Sequence, residues 1–142
     1  MGDARARSRA RAVLVDTNVL SELARQRPDP NVLAWAEKTE RYALSVITLE
    51  ELRFGVLATN SKRLRRWLDD LVADATVWPV SAAIAERAAT MRASRRATGR
   101  PVTQADMLIA ATAAIHGSVL ATRNERDFEG LAVEIVNPFR PA

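Results

Sequence analysis

Four apolar residues, Ala12 to Val15, run together and stop at an aspartate, Asp16. A short apolar run with such a boundary predicts a buried strand. Beyond it the pattern alternates. Val19 to Arg25 reads as a helix that ends at the prolines of "RPDP", and "NVLAWAEK" reads as a second short helix. "RYALSVI" (Arg41 to Ile47) is apolar and β-branched, which predicts a strand, and "TLEELRFGVLA" is helical again. In "SKRLRRWLDDLVADA", Leu64, Trp67, Leu68 and Leu71 recur at spacings of three and four, the mark of an amphipathic helix. "TVWPV" is a brief strand or edge segment, because Pro79 cannot donate to a ladder. "SAAIAERAATMRASRRAT" predicts a helix that stops at Gly99, with Pro101 just beyond. "TQADMLIAATAAIHG" is apolar nearly all round, so it should be a buried helix that Gly117 closes. "SVLAT" and "VEIV" complete the set as strands.

About five strands interleaved with helices predict an α/β fold: a three-layer α/β/α sandwich around a central parallel sheet. The chain of 142 residues is read as one domain over residues 12–142, behind a flexible arginine-rich arm at residues 1–11. In such sheets ligands sit beyond the carboxyl ends of the strands.

Composition changes this picture mainly by exclusion. There is no cysteine, so disulfides, thiolate metal sites and cysteine nucleophiles are ruled out. The longest apolar run, Met107 to Ile115, is too short to span a bilayer, and no signal-peptide core follows the basic start. A cytoplasmic location without membrane contact is therefore expected. The net charge of +4 owes most to the arm, whose Arg5, Arg7, Arg9 and Arg11 face only Asp3. That arm either attracts phosphates or is padding ahead of the fold. Within the body the basic clusters are Ser61 to Trp67 and Arg92 to Arg100. Trp35 and Trp67 read as core residues.

The acids matter by position. Asp16 follows the first strand, Glu50 and Glu51 open the helix after the second, Asp106 heads the buried helix, and Asp127 follows the fourth strand. Each has a local reading. Asp16 can be an N-cap. Thr48-Leu49-Glu50-Glu51 fits a capping box, and Thr103-Gln104-Ala105-Asp106 a looser version of one. Capping does not, however, require four acids to converge on one rim. A carboxylate at the head of an apolar helix is costly without a partner, and helix-dipole attraction returns only about 0.3–1 kcal/mol. A shared divalent cation would meet the need, and an all-oxygen set suits Mg²⁺ or Mn²⁺. Glu50 is the weaker ligand of its pair. His116, the only histidine, reads as a C-terminal helix cation, so a zinc site or a Ser-His-Asp engine is disfavoured. The five glycines form neither GxGxxG nor a P-loop.

These segments resemble the PIN-domain ribonucleases, and within them the VapC-like toxins of bacterial toxin–antitoxin pairs. "VLVDTNVLSEL" is similar to that family's opening motif, "SVITLEELRFGV" to its second and "TQADMLIAATA" to its third. "LATRNERDFEGLAVEIVNPF" resembles its closing segment, and the likeness runs from Ala12 to Phe139. The resemblance implies Asp16, Glu51, Asp106 and Asp127 as catalytic metal ligands for Mg²⁺, with Mn²⁺ as a substitute. Many relatives carry an acid where Asn124 stands, so Asn124 and Asp127 compete for the fourth place. Thr17 and Thr122 are candidate supporting hydroxyls. The implied function is a metal-dependent endoribonuclease, a homodimeric toxin that cleaves RNA, halts translation and pairs with an antitoxin carrying a DNA-binding domain. The rival is a regulatory module that completes a DNA-bound antitoxin complex with little nuclease activity.

Overall fold

The computed structural model describes residues 11–142. The reading of residues 1–11 as a flexible arm therefore lies outside the described residues, save for Arg11. Five strands run parallel in the order β3-β2-β1-β4-β5: β1 (Val13–Val15), β2 (Tyr42–Ser45), β3 (Thr76–Trp78), β4 (Leu120–Ala121) and β5 (Ile135–Val136). Leu14 is in register with Ala43 on one side and Leu120 on the other. The edge position expected of "TVWPV" holds, since β3 pairs with β2 alone.

Helices cover both faces. They are α1 (Thr17–Leu23), α2 (Pro30–Lys38), α3 (Val46–Leu57), α4 (Lys62–Asp74), α5 (Ala82–Ala97), α6 (Gln104–His116) and the single turn α7 (Glu125–Phe128). Successive strand residues point to opposite faces, and the core divides accordingly. Leu14, Ala43 and Leu120 pack with Ile84, Met91, Met107 and Ile109 of α5 and α6. Val15, Leu44 and Ala121 pack with Val19, Val32, Leu52 and Leu68 of α1 to α4. This is the three-layer sandwich that the alternation of elements predicts.

The first helix starts at Thr17 and ends at Leu23 rather than running from Val19 to Arg25, and the boundary between β2 and α3 also differs from the sequence reading. The second strand ends at Ser45 rather than Ile47, because the Ser45 hydroxyl accepts from Ile47 N at 3.1 Å and starts α3 there. Thr48 is thus buried inside α3 instead of capping it, and Glu51 lies in the second turn, not the first. The turn α7 was not foreseen; it has no side-chain cap. The close of α6 is as expected: Gly117 takes φ 61°, a left-handed conformation that glycine adopts without strain. Arg11 donates to the Gly117 carbonyl at 2.8 Å, and His116 stacks on Trp78 at 3.9 Å between ring centroids. Trp35 meets Tyr42 edge-on and, like Trp67, lies at the margin of the core. Among the described residues no helix is long and apolar enough to cross a membrane.

Candidate active site

From β1 the chain steps to β2 and β3 on one side, then crosses to β4 and β5 on the other. The strand order reverses between β1 and β4, where an open parallel sheet forms a crevice beyond its carboxyl ends. Asp16 emerges from β1 at that point. Its backbone N–H donates to Ala121 of β4 at 2.9 Å, and its side chain is buried.

Three donors fix the Asp16 carboxylate. Thr17 N donates to Oδ1 at 2.8 Å, Thr122 Oγ1 to Oδ2 at 2.8 Å, and Asn18 Nδ2 to Oδ2 at 3.3 Å. Capping and site-building therefore coincide in this residue: it starts α1 and also faces the crevice. Burial pushes its pKa up, the Thr122 and Thr17 hydrogen bonds pull it down, and the charges of Asp106 and Glu51 push it up again. Thr122, wholly buried, also accepts from Asn124 N at 3.0 Å, so the segment after β4 is tied to the same carboxylate.

Asp106 stands in the first turn of α6, where its N–H donates to the Thr103 hydroxyl at 3.1 Å. Its side chain is half-buried rather than fully enclosed. Burial raises its pKa, Thr103 lowers it, and Asp127 raises it further. Glu51 is exposed on α3 and accepts from Thr17 Oγ1 at 3.1 Å, with Thr48 Oγ1 3.2 Å from that hydroxyl. Asp127 and Asn124 are both exposed, Asp127 on α7 and Asn124 just before it.

Asp16 thus feels the charge of Asp106 and Glu51, and Asp106 that of Asp127, yet among the described residues no three of them converge as a ready-made ligand shell. Nor, among the described residues, does any of them have a cationic partner. The ion pairs among the described residues are Arg25 with Glu22, Arg53 with Asp69 and Arg140 with Glu125. Unpaired carboxylates that repel one another are a donor set for a hard cation. Glu50, also exposed, makes no side-chain hydrogen bond among the described residues.

A family model described as "PIN domain" matches residues 13–134, a span that holds all four acids. The chain belongs to the PIN-domain family. Within it, the chain stands with the VapC-type proteins. It is 38% identical over 139 residues to VapC ribonuclease Y4jK of Sinorhizobium fredii, across 92% of this chain and 99% of that protein. It is 36% identical over 137 residues to Toxin FitB of Neisseria gonorrhoeae, across 89% and 98%. Among solved structures, FitAB bound to an IR36 DNA fragment is similar at a TM-score of 0.83 and 31% identity, over 92% of this chain and 97% of that one.

In this PIN domain the residue that sequence reasoning passed over is Asn18. Its amide bridges Asp16 and Thr122, while its Oδ1 accepts from Arg123 N at 3.2 Å, so it laces β1 to the segment after β4. The one available signal was an amide two residues after a strand-end aspartate. Thr48 was assigned to a cap and instead lies beneath Thr17 and Glu51. Arg95 is buried and donates to the carbonyls of Asp127 and Glu129, which anchors α7.

Proposed function

We propose that this PIN-domain protein is the RNA-cleaving toxin of a toxin–antitoxin pair and that its nuclease activity requires Mg²⁺, with Mn²⁺ as a substitute. The observation that carries the reading is Asp16: a carboxylate buried at the strand-order reversal, fixed by three donors, beside further acids and, among the described residues, without a cationic partner. The names of the VapC and FitB relatives support the same reading.

Asp16 and Asp106 would be the inner ligands, and Glu51 and Asp127, both exposed, would turn inward to complete the shell. A divalent cation bound there supplies activation of water and neutralises charge that builds on phosphorus. Thr122, Thr17 and Asn18 hold Asp16 in one orientation, so that binding need not order it. Thr17 anchors Glu51 through its hydroxyl.

The partner is an antitoxin that binds DNA, a reading supported by the similarity to FitAB on its DNA fragment. Phe54 and Leu57 of α3 are 72% and 65% exposed and border a groove with Val46, Leu49 and Val72, apolar surface that a partner helix can cover. A homodimer is part of the same proposal. The DNA-bound neighbour also favours a second reading, in which the chain acts chiefly within a DNA-bound regulatory complex.

The test is cleavage of total bacterial RNA by antitoxin-free protein in Mg²⁺, Mn²⁺ or EDTA, beside Asp16→Asn. Metal-dependent cuts at discrete sites, absent in the variant, are expected. No cleavage by folded protein in any metal would move the reading to the regulatory complex.

A further inference from the structure

We propose that the C-terminal half of α5 and the turn after it form the surface that holds the RNA backbone, with Arg92 and Arg96 as its phosphate contacts. This inference rests on the ribonuclease reading and deepens it. From Met91 to Thr103 the chain carries Arg92, Arg95, Arg96 and Arg100 and no acid. These four arginines divide into two jobs. Arg95 and Arg100 face the protein: Arg95 donates to the carbonyls of Asp127 and Glu129, and Arg100 to the carbonyl of Arg126 at 2.9 Å. Arg92 and Arg96 face outward, one helical turn apart on an exposed face. Among the described residues their guanidinium groups have neither a hydrogen bond nor a carboxylate partner. They line a groove of about 610 Å³ with Ala89, Ala93, Pro101 and Val102. Pro101 and Val102 of that lining lead directly into Thr103, the N-cap of α6, whose first turn carries Asp106.

Helix-dipole stabilisation accounts for cations in the last turn, and so for Arg95 and Arg96. Arg92 lies a turn earlier, beyond that effect. The rival basic cluster on α4 is interspersed with acids, whereas the stretch from Met91 to Thr103 has none. Arg63 donates to the Ala24 carbonyl at 2.8 Å, and Asp69 and Asp70 follow Arg65 and Arg66 by four residues, which dilutes the positive charge of α4 even though Asp69 pairs with Arg53 and not with Arg65. The inward arginines also fix the outward ones relative to the acids, because they grip the backbone of α7, which bears Asp127. A strand laid on Arg92 and Arg96 is thereby held in register with the acidic rim.

The test is binding of a fluorescein-labelled, mixed-sequence single-stranded RNA in the Asp16→Asn background, where the RNA stays intact, across a salt series. The Arg92→Gln/Arg96→Gln pair should reduce the slope of log affinity against log salt by about 1.4, at about 0.7 per phosphate contact on a single strand. Lys62→Gln/Arg66→Gln should leave the slope unchanged. In the Asp16-intact chain, the first pair should raise KM while kcat holds. An unchanged slope in a variant of unchanged Tm, or a slope that falls with the α4 pair instead, would overturn the surface. So would a loss seen only in antitoxin binding. RNA binding that depends on Arg92 and Arg96 in a protein that cuts nothing would support the surface and sink the nuclease reading alone.

Discussion

The Thr122 hydroxyl donates to Asp16 Oδ2 at 2.8 Å although 106 positions separate the two residues. Parallel pairing of β1 with β4 brings them together, with Val15 level with Ala121. The bond opposes the burial that pushes the Asp16 pKa up. Thr122→Val keeps the shape and removes the donor. A hydrogen bond to a charged group is worth about 1.5–3 kcal/mol, and roughly 1.4 kcal/mol moves a pKa by one unit. The acid limb of the pH–rate profile should therefore move to higher pH by about one to two units, with weaker Mn²⁺ binding, and Thr122→Ser should restore both. A profile that does not move would show that Asp16 is not the group titrating in it.

Asp106 should cost stability until a cation arrives. Its folded-state pKa lies above the ordinary aspartate value of 3.8, chiefly through burial, with the Asp127 charge adding to the rise. A carboxyl raised on folding contributes stability that is fully present below 3.8 and lost as pH rises through its folded-state value. Asp16 is raised too and adds in the same direction. At neutral pH the metal-free chain has lost this contribution, so Asp106→Asn should melt higher than the metal-free parent. Half-exposure screens the effect, so the rise is small, about 2–4 °C. Mg²⁺ at about 100 times its Kd should stabilise the parent by about 2.7 kcal/mol and the variant far less. RNA cleavage by the variant should fall by at least about 100-fold. Thermal melts with Mg²⁺ or EDTA across pH decide it, and a variant that melts lower without metal would refute the repulsion account.

The legible parts of this protein were those written in one local pattern. The run Ala12 to Val15 followed by Asp16, and the all-apolar α6 with Gly117 behind it, carry their structure in adjacent residues. Val46 and Ile47 misled because β-branching favours strands, whereas Ser45 supplies a helix cap that outweighs that preference. Only the spacing of Asn18 from Asp16 hinted at its role, since its partner Thr122 lies 104 residues away. Asp16 and Asp106 could be placed from element ends, whereas Glu51 falls a turn later and Asp127 on an unexpected turn, and that none of them has a cationic partner among the described residues appears only in the folded arrangement.

Gly117 ends α6 in a left-handed turn, and a Cβ placed there would lie 3.5 Å from the Arg11 guanidinium. Space is therefore adequate and the backbone conformation is the obstacle. Gly117→Ala should cost about 1–2 kcal/mol, seen as a lower midpoint in urea with an unchanged slope, while metal affinity holds because the acids lie at the other end of α6. A change in metal affinity would mean that the helix transmits the strain to Asp106.

Asn124 and Asp127 compete for the fourth place at the rim, and the geometry separates their roles. The backbone N–H of Asn124 is already engaged by Thr122 at 3.0 Å, and its side chain caps nothing at the start of α7. Asp127 lies close enough for its charge to raise the Asp106 pKa, and Arg95 holds its carbonyl. If charge is what the rim contributes, Asp127→Asn should weaken Mn²⁺ binding by about 10–100-fold, and Asn124→Ala should change it by less than about threefold. The converse variant sharpens the comparison. Asn124→Asp adds a carboxylate beside the rim, so it should tighten Mn²⁺ binding and lower the metal-free melting temperature together, since the added charge repels its neighbours until a cation neutralises them. Isothermal titration of the three variants with Mn²⁺ measures all of this. If Asn124→Ala costs as much as Asp127→Asn, the amide belongs to the ligand shell and Asp127 must yield the fourth place.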